Sequence, residues 1–276
     1  MGSGIAQVAA QAGHSVVLHD VEQMFIDRGL AGISKNLERA VEKGKLDAAS
    51  REQTLLRIAG SAVWRDYDVD IAIEAATENL PIKRELFKKL DAHTPSKAIL
   101  ASNTSSISLT TLGAATKRPE LTIGMHFMNP VPVMKLVEII RGIATSDATF
   151  GTVRDLAGNM GKTPVEVRDF PGFVSNRVLL PMINEAVYAL YEGVGTIEAI
   201  DTVMKLGMNH PMGPFELADF IGLDTCLAIM EVLYDGFADS KYRPCPLLKQ
   251  YVAAGWYGKK TGRGFYAYVD GKLQPA

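Results

Sequence analysis

The stretch GSGIAQVAAQAGHSVVLHD at residues 2–20 changes its hydrophobic period once. Ile5, Val8, Ala9 and Ala12 fall on one face at helical spacing, and Gly13 stops the helix. Ser15-Val16-Val17-Leu18 then reads as a short buried strand closed by His19 and Asp20. The alternation continues downstream. A polar helical region carrying Lys35, Glu38, Arg39, Glu42 and Lys43 reaches about Gly44, and a further helix is expected near 50–59. Strands are expected at 69–74, 98–101, 122–127, 135–140 and 165–168. Between them lie a helix from Pro81 to about Leu90, with the proline in its favoured first-turn position, and another near 148–160. Strands alternating with helices predict a parallel sheet covered on both faces. Past Asp169-Phe170-Pro171-Gly172 the pattern is helical, near 173–192, 196–206, 214–233 and 246–254, with no convincing strand before the tail. The expected fold is an α/β doubly wound sheet over residues 1–168 followed by an all-α domain over 169–276.

The 276 residues suffice for two domains. An apolar fraction of 47% and a charged fraction of 22% are those of a globular chain and exclude disorder as the dominant state. With 29 Lys and Arg against 31 Asp and Glu, bulk charge recruits neither nucleic acid nor an anionic membrane. No apolar run reaches the roughly 18 residues that a membrane span needs. The first 18 residues lack Lys and Arg and are broken by Gln7, Gln11 and His14, so they do not read as a signal peptide. Ala6 stands where a myristoylation motif wants Ser or Thr. Cys226 and Cys245 are too few for a disulfide scaffold, which points to a reduced, cytoplasmic setting.

Four places carry chemistry. Met1-Gly2-Ser3-Gly4-Ile5-Ala6 opens a small-residue helix, and Asp20 follows a strand. A glycine-opened helix N-terminus suits a pyrophosphate, and an acid about 20 residues on suits adenosine ribose hydroxyls while repelling a 2′-phosphate. A plain packing helix with a solvated Asp20 fits this stretch equally well. Second, His126 ends a strand, and Glu138 lies within the apolar run Met134–Ile140 beyond a loop with Asn129, Pro130 and Pro132. A buried carboxylate needs a partner, and a returning strand would set it beside His126, as a structural pair or as a base with its orienting acid. Third, Ala101-Ser102-Asn103-Thr104-Ser105-Ser106 follows a strand, where open α/β sheets bind ligands; Ser106 and Ser108 read better as helix caps. Fourth, Asn176 sits on the apolar helix that opens the second domain, either buried with a partner or facing solvent. No metal-ligand spacing, GxSxG elbow or GxxxxGK[ST] loop occurs.

Several motifs in one order resemble the 3-hydroxyacyl-CoA dehydrogenase family, in particular its short bacterial members that act on 3-hydroxybutyryl-CoA. They are Met1–Ala6, Ala101–Ser106, Gly124-Met125-His126-Phe127-Met128-Asn129-Pro130-Val131-Pro132, Pro171-Gly172-Phe173-Val174-Ser175-Asn176-Arg177, His210-Pro211-Met212-Gly213-Pro214-Phe215-Glu216 and the tail Gly258–Tyr266. The resemblance covers almost the whole chain. It implies a Rossmann-like NAD-binding domain, a helical substrate and dimerisation domain, NAD as cofactor, and a homodimer working in fatty acid metabolism and beta-oxidation. It implies His126 as general base for the C3 hydroxyl of a short-chain (S)-3-hydroxyacyl-CoA, Glu138 as its orienting carboxylate, and Ser105 and Asn176 as groups holding substrate and histidine. It places Gly2, Asp20, Glu78, Lys83, Asn103, Asn129 and Lys260 on the cofactor side. Lys43 resembles a lysine contacting coenzyme A phosphates, with a solvated helix face as the other reading.

The family pattern begins with a strand and two further glycines that do not precede Gly2 here. Losing about six buried apolar residues at roughly 1.5–3 kcal/mol each rivals the whole stability of a domain, about 5–15 kcal/mol. The expectation is therefore a natural start upstream of Met1. Two rival functions fit the same pattern: a dehydrogenase for another hydroxy acid or a dicarboxylic acyl-CoA, and a non-catalytic binding or structural protein of this fold.

Overall fold

The computed structural model describes residues 1–270 and 272–274. The chain divides into two compact units, Met1–Asp169 and Phe170–Ala276.

The first unit alternates helices and strands: α1 (Gly2–Gln11), β1 (Val16–His19), α2 (Gln23–Glu42), α3 (Ala48–Leu56), β2 (Ile58–Ser61), β3 (Ile71–Glu74), α4 (Leu80–His93), β4 (Ile99–Ser102), α5 (Leu109–Gly113), β5 (Thr122–Phe127), β6 (Leu136–Arg141), α6 (Asp147–Asn159) and β7 (Thr163–Arg168). Asp47, Asn79, Ser108 and Ser146 each cap the helix that follows, accepting a backbone N–H of its first turn. Among the described residues the strands form two hydrogen-bonded groups, the parallel pair β1-β2 and a five-stranded sheet ordered β3-β4-β5-β6-β7. The sheet is not purely parallel, as expected, but mixed: β5 and β6 run antiparallel. Their connection is too short for the crossover that parallel pairing requires. The core packs Ile5 and Val8 of α1 against Ile99, Ile123, Met125, Val137 and Ile139 of the sheet and Val153 of α6. Ala6 turns toward a second cluster with Ile33 and Leu37 of α2. Both faces of α1 are thus buried, which explains its run of small residues.

The second unit contains α7 (Ser175–Tyr191), α8 (Ile197–Thr202), α9 (Pro214–Ile221), α10 (Leu223–Phe237) and α11 (Pro246–Ala253) around Leu180, Ile183, Phe215, Leu223, Met230 and Phe265. It is not all-α: the tail forms the antiparallel pair β8 (Ala267–Val269) and β9 (Lys272–Gln274). The buried carboxylates Asp201 and Asp219 fasten that tail. Asp219 accepts the N–H groups of Phe265 and Tyr266, and Asp201 accepts the Tyr266 hydroxyl. The helix expected over 214–233 is two helices, because Gly222 at φ +104° breaks it.

Candidate active site

The register of β5 on β6 sets His126 directly opposite Glu138. Side chains opposite one another in an antiparallel pair share a face, and here Nδ1 of His126 lies 2.8 Å from Oε2 of Glu138. Glu138 is 2% exposed and His126 9%. Val137 and Ile139 on either side of Glu138 are fully buried, so the strand cannot slip to bring the carboxylate out without exposing them. His126 gives the buried carboxyl group a hydrogen-bonding partner.

A polar network is built on the carboxyl ends of β3 and β4. Lys83, 1% exposed, donates to both oxygens of Glu74 (2.8 and 2.9 Å) and to the Ala76 carbonyl (3.2 Å). Glu74 also accepts the Ser102 hydroxyl at 2.6 Å. Lys83 lies 3.5 Å from Oε2 of Glu78. The other Glu78 oxygen accepts the Thr104 hydroxyl, the N–H groups of Ser105 (2.9 Å) and Ser106 (3.0 Å) and the Ser106 hydroxyl (2.9 Å). Burial pushes the Glu78 carboxyl up, but these donors and the Lys83 ammonium outweigh it and hold the group below its ordinary value. Asn103 Oδ1 accepts the N–H of Phe127 at 2.9 Å, which fastens the loop to the residue after His126. Lys83 and Glu78 thus brace the turn that presents Ser105.

A second feature belongs to α1. Its N-terminus carries no side-chain cap. Ser3, Gly4 and Gln7 line a cavity of about 170 Å³ with Asn129, Pro130, Val131 and Pro132. A Cβ on Gly4 would stand 2.9 Å from Cβ of Val131, inside van der Waals contact. A Cβ on Gly2 would meet only Ala75, at 3.8 Å. The close approach is thus made at Gly4, which sequence reasoning passed over, and not at Gly2. Asp20 is exposed just beyond β1, with one carboxylate oxygen accepting the Val21 N–H at 2.8 Å. Uncapped amides, a wall that excludes a side chain at Gly4 and an exposed acid beyond a strand fit a dinucleotide's pyrophosphate and ribose.

The remaining expected residues lie elsewhere. Lys43 is exposed at the C-cap of α2. In the second unit, Asn176 is half-buried in the first turn of α7, its N–H donating to the Gly172 carbonyl at 3.2 Å. Lys260 is exposed and pairs with Asp224, Nζ to Oδ2 2.6 Å. Glu74 escaped the sequence reading as a site residue. A glutamate closing an apolar strand, followed nine residues later by a lysine on the next helix, is the signal that marks the Glu74–Lys83 pair. Both cysteines are free and buried, and burial raises the Cys226 thiol to about 12. Among the described residues no His, Cys, Asp and Glu cluster could hold a metal, and no helix is long and apolar enough to cross a membrane.

An α/β unit with this nucleotide wall, joined to a helical unit, is the architecture of a dinucleotide-dependent dehydrogenase. Residues 1–170 match the NAD binding domain of 3-hydroxyacyl-CoA dehydrogenase and residues 172–268 its C-terminal domain, so the chain belongs to the 3-hydroxyacyl-CoA dehydrogenase family and is an NAD-dependent oxidoreductase. It is 57% identical over 276 residues to the 3-hydroxybutyryl-CoA dehydrogenase of Bradyrhizobium diazoefficiens, covering 100% of this chain and 94% of that one. It is 44% identical over 276 residues to the mitochondrial hydroxyacyl-coenzyme A dehydrogenase of Homo sapiens, covering 97% and 88%. The crystal structure of (S)-3-hydroxybutyryl-CoA dehydrogenase from Ralstonia eutropha superposes with a TM-score of 0.96 at 52% identity, covering 98% of this chain and 96% of that one.

Proposed function

We propose that the protein interconverts a short-chain (S)-3-hydroxyacyl-CoA, such as 3-hydroxybutyryl-CoA, and the 3-ketoacyl-CoA. The observation that supports it best is the buried His126–Glu138 pair at 2.8 Å in a chain of this family. In oxidation His126 takes the C3 hydroxyl proton at Nε2 while its Nδ1–H stays on Glu138. The carboxylate fixes the tautomer and stabilises the imidazolium as it forms. In reduction the charged ring returns that proton to the ketone oxygen. NAD, when bound, supplies the acceptor for the hydride that leaves C3. Ser105, presented by the Glu78-clamped turn, holds the substrate oxygen, and Asn176 is assigned a substrate-holding role as well. Water exclusion by the buried pair's apolar neighbours strengthens each of these interactions.

On the cofactor side, Gly2 admits the pyrophosphate to the α1 amides, Gly4 lets Val131 pack against the helix, and Asp20 selects NAD over its 2′-phosphorylated form. Asn129 and Lys260 contribute further contacts, Lys83 and Asn103 position the loop, and Lys43 meets coenzyme A phosphates. Residues 1–168 hold the cofactor, and 169–276 form the substrate and dimerisation domain of a cytoplasmic homodimer. The exposed Val203, Leu206 and Met208 favour an apolar contact there, and light scattering at the monomer mass would refute it. The reaction is tested by following NADH oxidation with acetoacetyl-CoA and with longer 3-ketoacyl-CoA thioesters, NADPH serving as control. Fast NADH turnover that falls with chain length supports the reading. A preference for long chains, or for NADPH, overturns it.

A further inference from the structure

A buried ammonium stands behind the cofactor wall. Lys162 follows α6 and immediately precedes β7, and it is 9% exposed. Its Nζ donates to the carbonyls of Val131 and Met134, the latter at 2.9 Å. Among the described residues no carboxylate forms an ion pair with it. A cation withdrawn from water without a counter-ion is costly, and an apolar side chain of similar length would fill the space without that cost. The cost is offset by what the ammonium holds. Both carbonyls belong to the loop between β5 and β6, the loop that joins His126 to Glu138. Within that loop Pro130 O accepts the N–H groups of Val133 and Met134, each at 3.0 Å. Val131, 2% exposed, is the residue that presses on Gly4 of α1. The base of Lys162 is itself fixed: its N–H donates to Ala157 O at 3.1 Å, and the N–H of Thr163 donates to Lys135 O at 2.8 Å.

We propose that Lys162 is a positioning residue for cofactor binding, its ammonium clamping the Val131 and Met134 carbonyls and so setting the Asn129–Pro132 wall against α1. This rests on the reading that the cavity beside Gly4 receives part of NAD. The His126–Glu138 register is held independently by the β5–β6 ladder. Loss of the clamp therefore changes cofactor affinity and leaves proton transfer in place.

The test compares Lys162→Met and Lys162→Arg with the full chain. NADH affinity is read by fluorescence titration, amide exchange of residues 128–135 by mass spectrometry, and KM for acetoacetyl-CoA and the pH profile of kcat by absorbance. Lys162→Met should weaken NADH binding about tenfold and speed exchange in the loop about tenfold, the loss of a charged donor to two carbonyls. β5 and β6 should stay protected, with KM for acetoacetyl-CoA and the pH profile unmoved. Lys162→Arg, which keeps a charged donor, should retain most of the affinity. Unchanged NADH affinity in Lys162→Met overturns the proposal. So does parallel loss of protection in β5 and β6, which would make Lys162 a general support of the fold. Should Lys162→Met not fold, Lys162→Gln takes its place in the same measurements. Wild-type protein that binds NADH without reducing acetoacetyl-CoA would refute the substrate assignment alone, because the affinity and exchange readouts still judge Lys162; wild-type protein that binds no NADH overturns both.

Discussion

Glu138→Gln keeps the shape of the buried pair and removes its charge. Glu138 lies 2.8 Å from His126 Nδ1 and is only 2% exposed; in the mechanism proposed above, its carboxylate stabilises the imidazolium that forms as the substrate proton arrives. A hydrogen bond to a charged group contributes about 1.5–3 kcal/mol and a neutral one about 0.5–1.5 kcal/mol. The difference, about 1–2 kcal/mol, converts to roughly a five- to thirtyfold loss of rate. A second effect adds to it. The amide can offer Nδ1 an N–H, which moves the ring proton to Nε2, the atom required to accept the substrate proton. A carboxylate-to-amide change of this kind in a serine protease triad costs about 10⁴ in kcat through the wrong tautomer. The expected outcome is kcat down about 10²–10⁴-fold, with KM for acetoacetyl-CoA and NADH affinity within threefold. Stopped-flow NADH absorbance with saturating acetoacetyl-CoA gives kcat, and circular dichroism confirms the fold. A variant that retains more than a third of wild-type kcat would show that the pair is structural.

Gly4→Ala forces its new Cβ to within 2.9 Å of Val131, so the wall must yield. Overpacking of this kind costs about 1–3 kcal/mol; urea denaturation and NADH titration should both show a loss, while Gly2→Ala, whose Cβ would meet only Ala75 at 3.8 Å, should keep a urea midpoint near wild type. Lys83→Met leaves Glu74 buried without its cation and should destabilise the first unit by about 3–5 kcal/mol; adding Glu74→Gln should restore part of it, and a single-variant loss near zero would contradict the network. The Glu78 carboxyl is held below its ordinary value of 4.5. Its folded form binds fewer protons than its unfolded form in that window, so it adds stability above 4.5 that disappears as pH falls through the folded value. Glu78→Gln should flatten that acid limb of urea midpoints, and curves parallel to wild type would count against the clamp on Thr104 to Ser106.

The His126–Glu138 pair was legible because Glu138 sits among apolar strand residues, and a charge so placed demands a partner on the returning strand. The polar turn after β4 was legible for the same positional reason. β2 was not. Ile58–Ser61 follows α3 after Arg57 alone, and a four-residue strand abutting a helix has no room to show its own period. Lys83 was placed on the cofactor side by the family resemblance alone, because a first-turn lysine beside Arg84 and Glu85 carries no mark of burial. Its burial depends on β3 ending in Glu74 close by, a tertiary fact. The motif singles out Gly2 and gives no role to Gly4, because the residue that Gly4 packs against, Val131, is far away in sequence. The tail pairs as β8 and β9 because the buried acids Asp201 and Asp219 fasten the residues that lead into it, an arrangement spread over more than 40 residues of chain.

The central claim is that His126 carries the proton of a hydroxyacyl-CoA dehydrogenase. Acetoacetyl-CoA-dependent NADH oxidation by the protein and by His126→Gln, measured side by side, tests it most directly. The account predicts NADH-specific turnover by the protein and a kcat lower by about 10²–10⁴-fold in the variant, with NADH affinity intact. Turnover by His126→Gln within tenfold of the unaltered protein would contradict it.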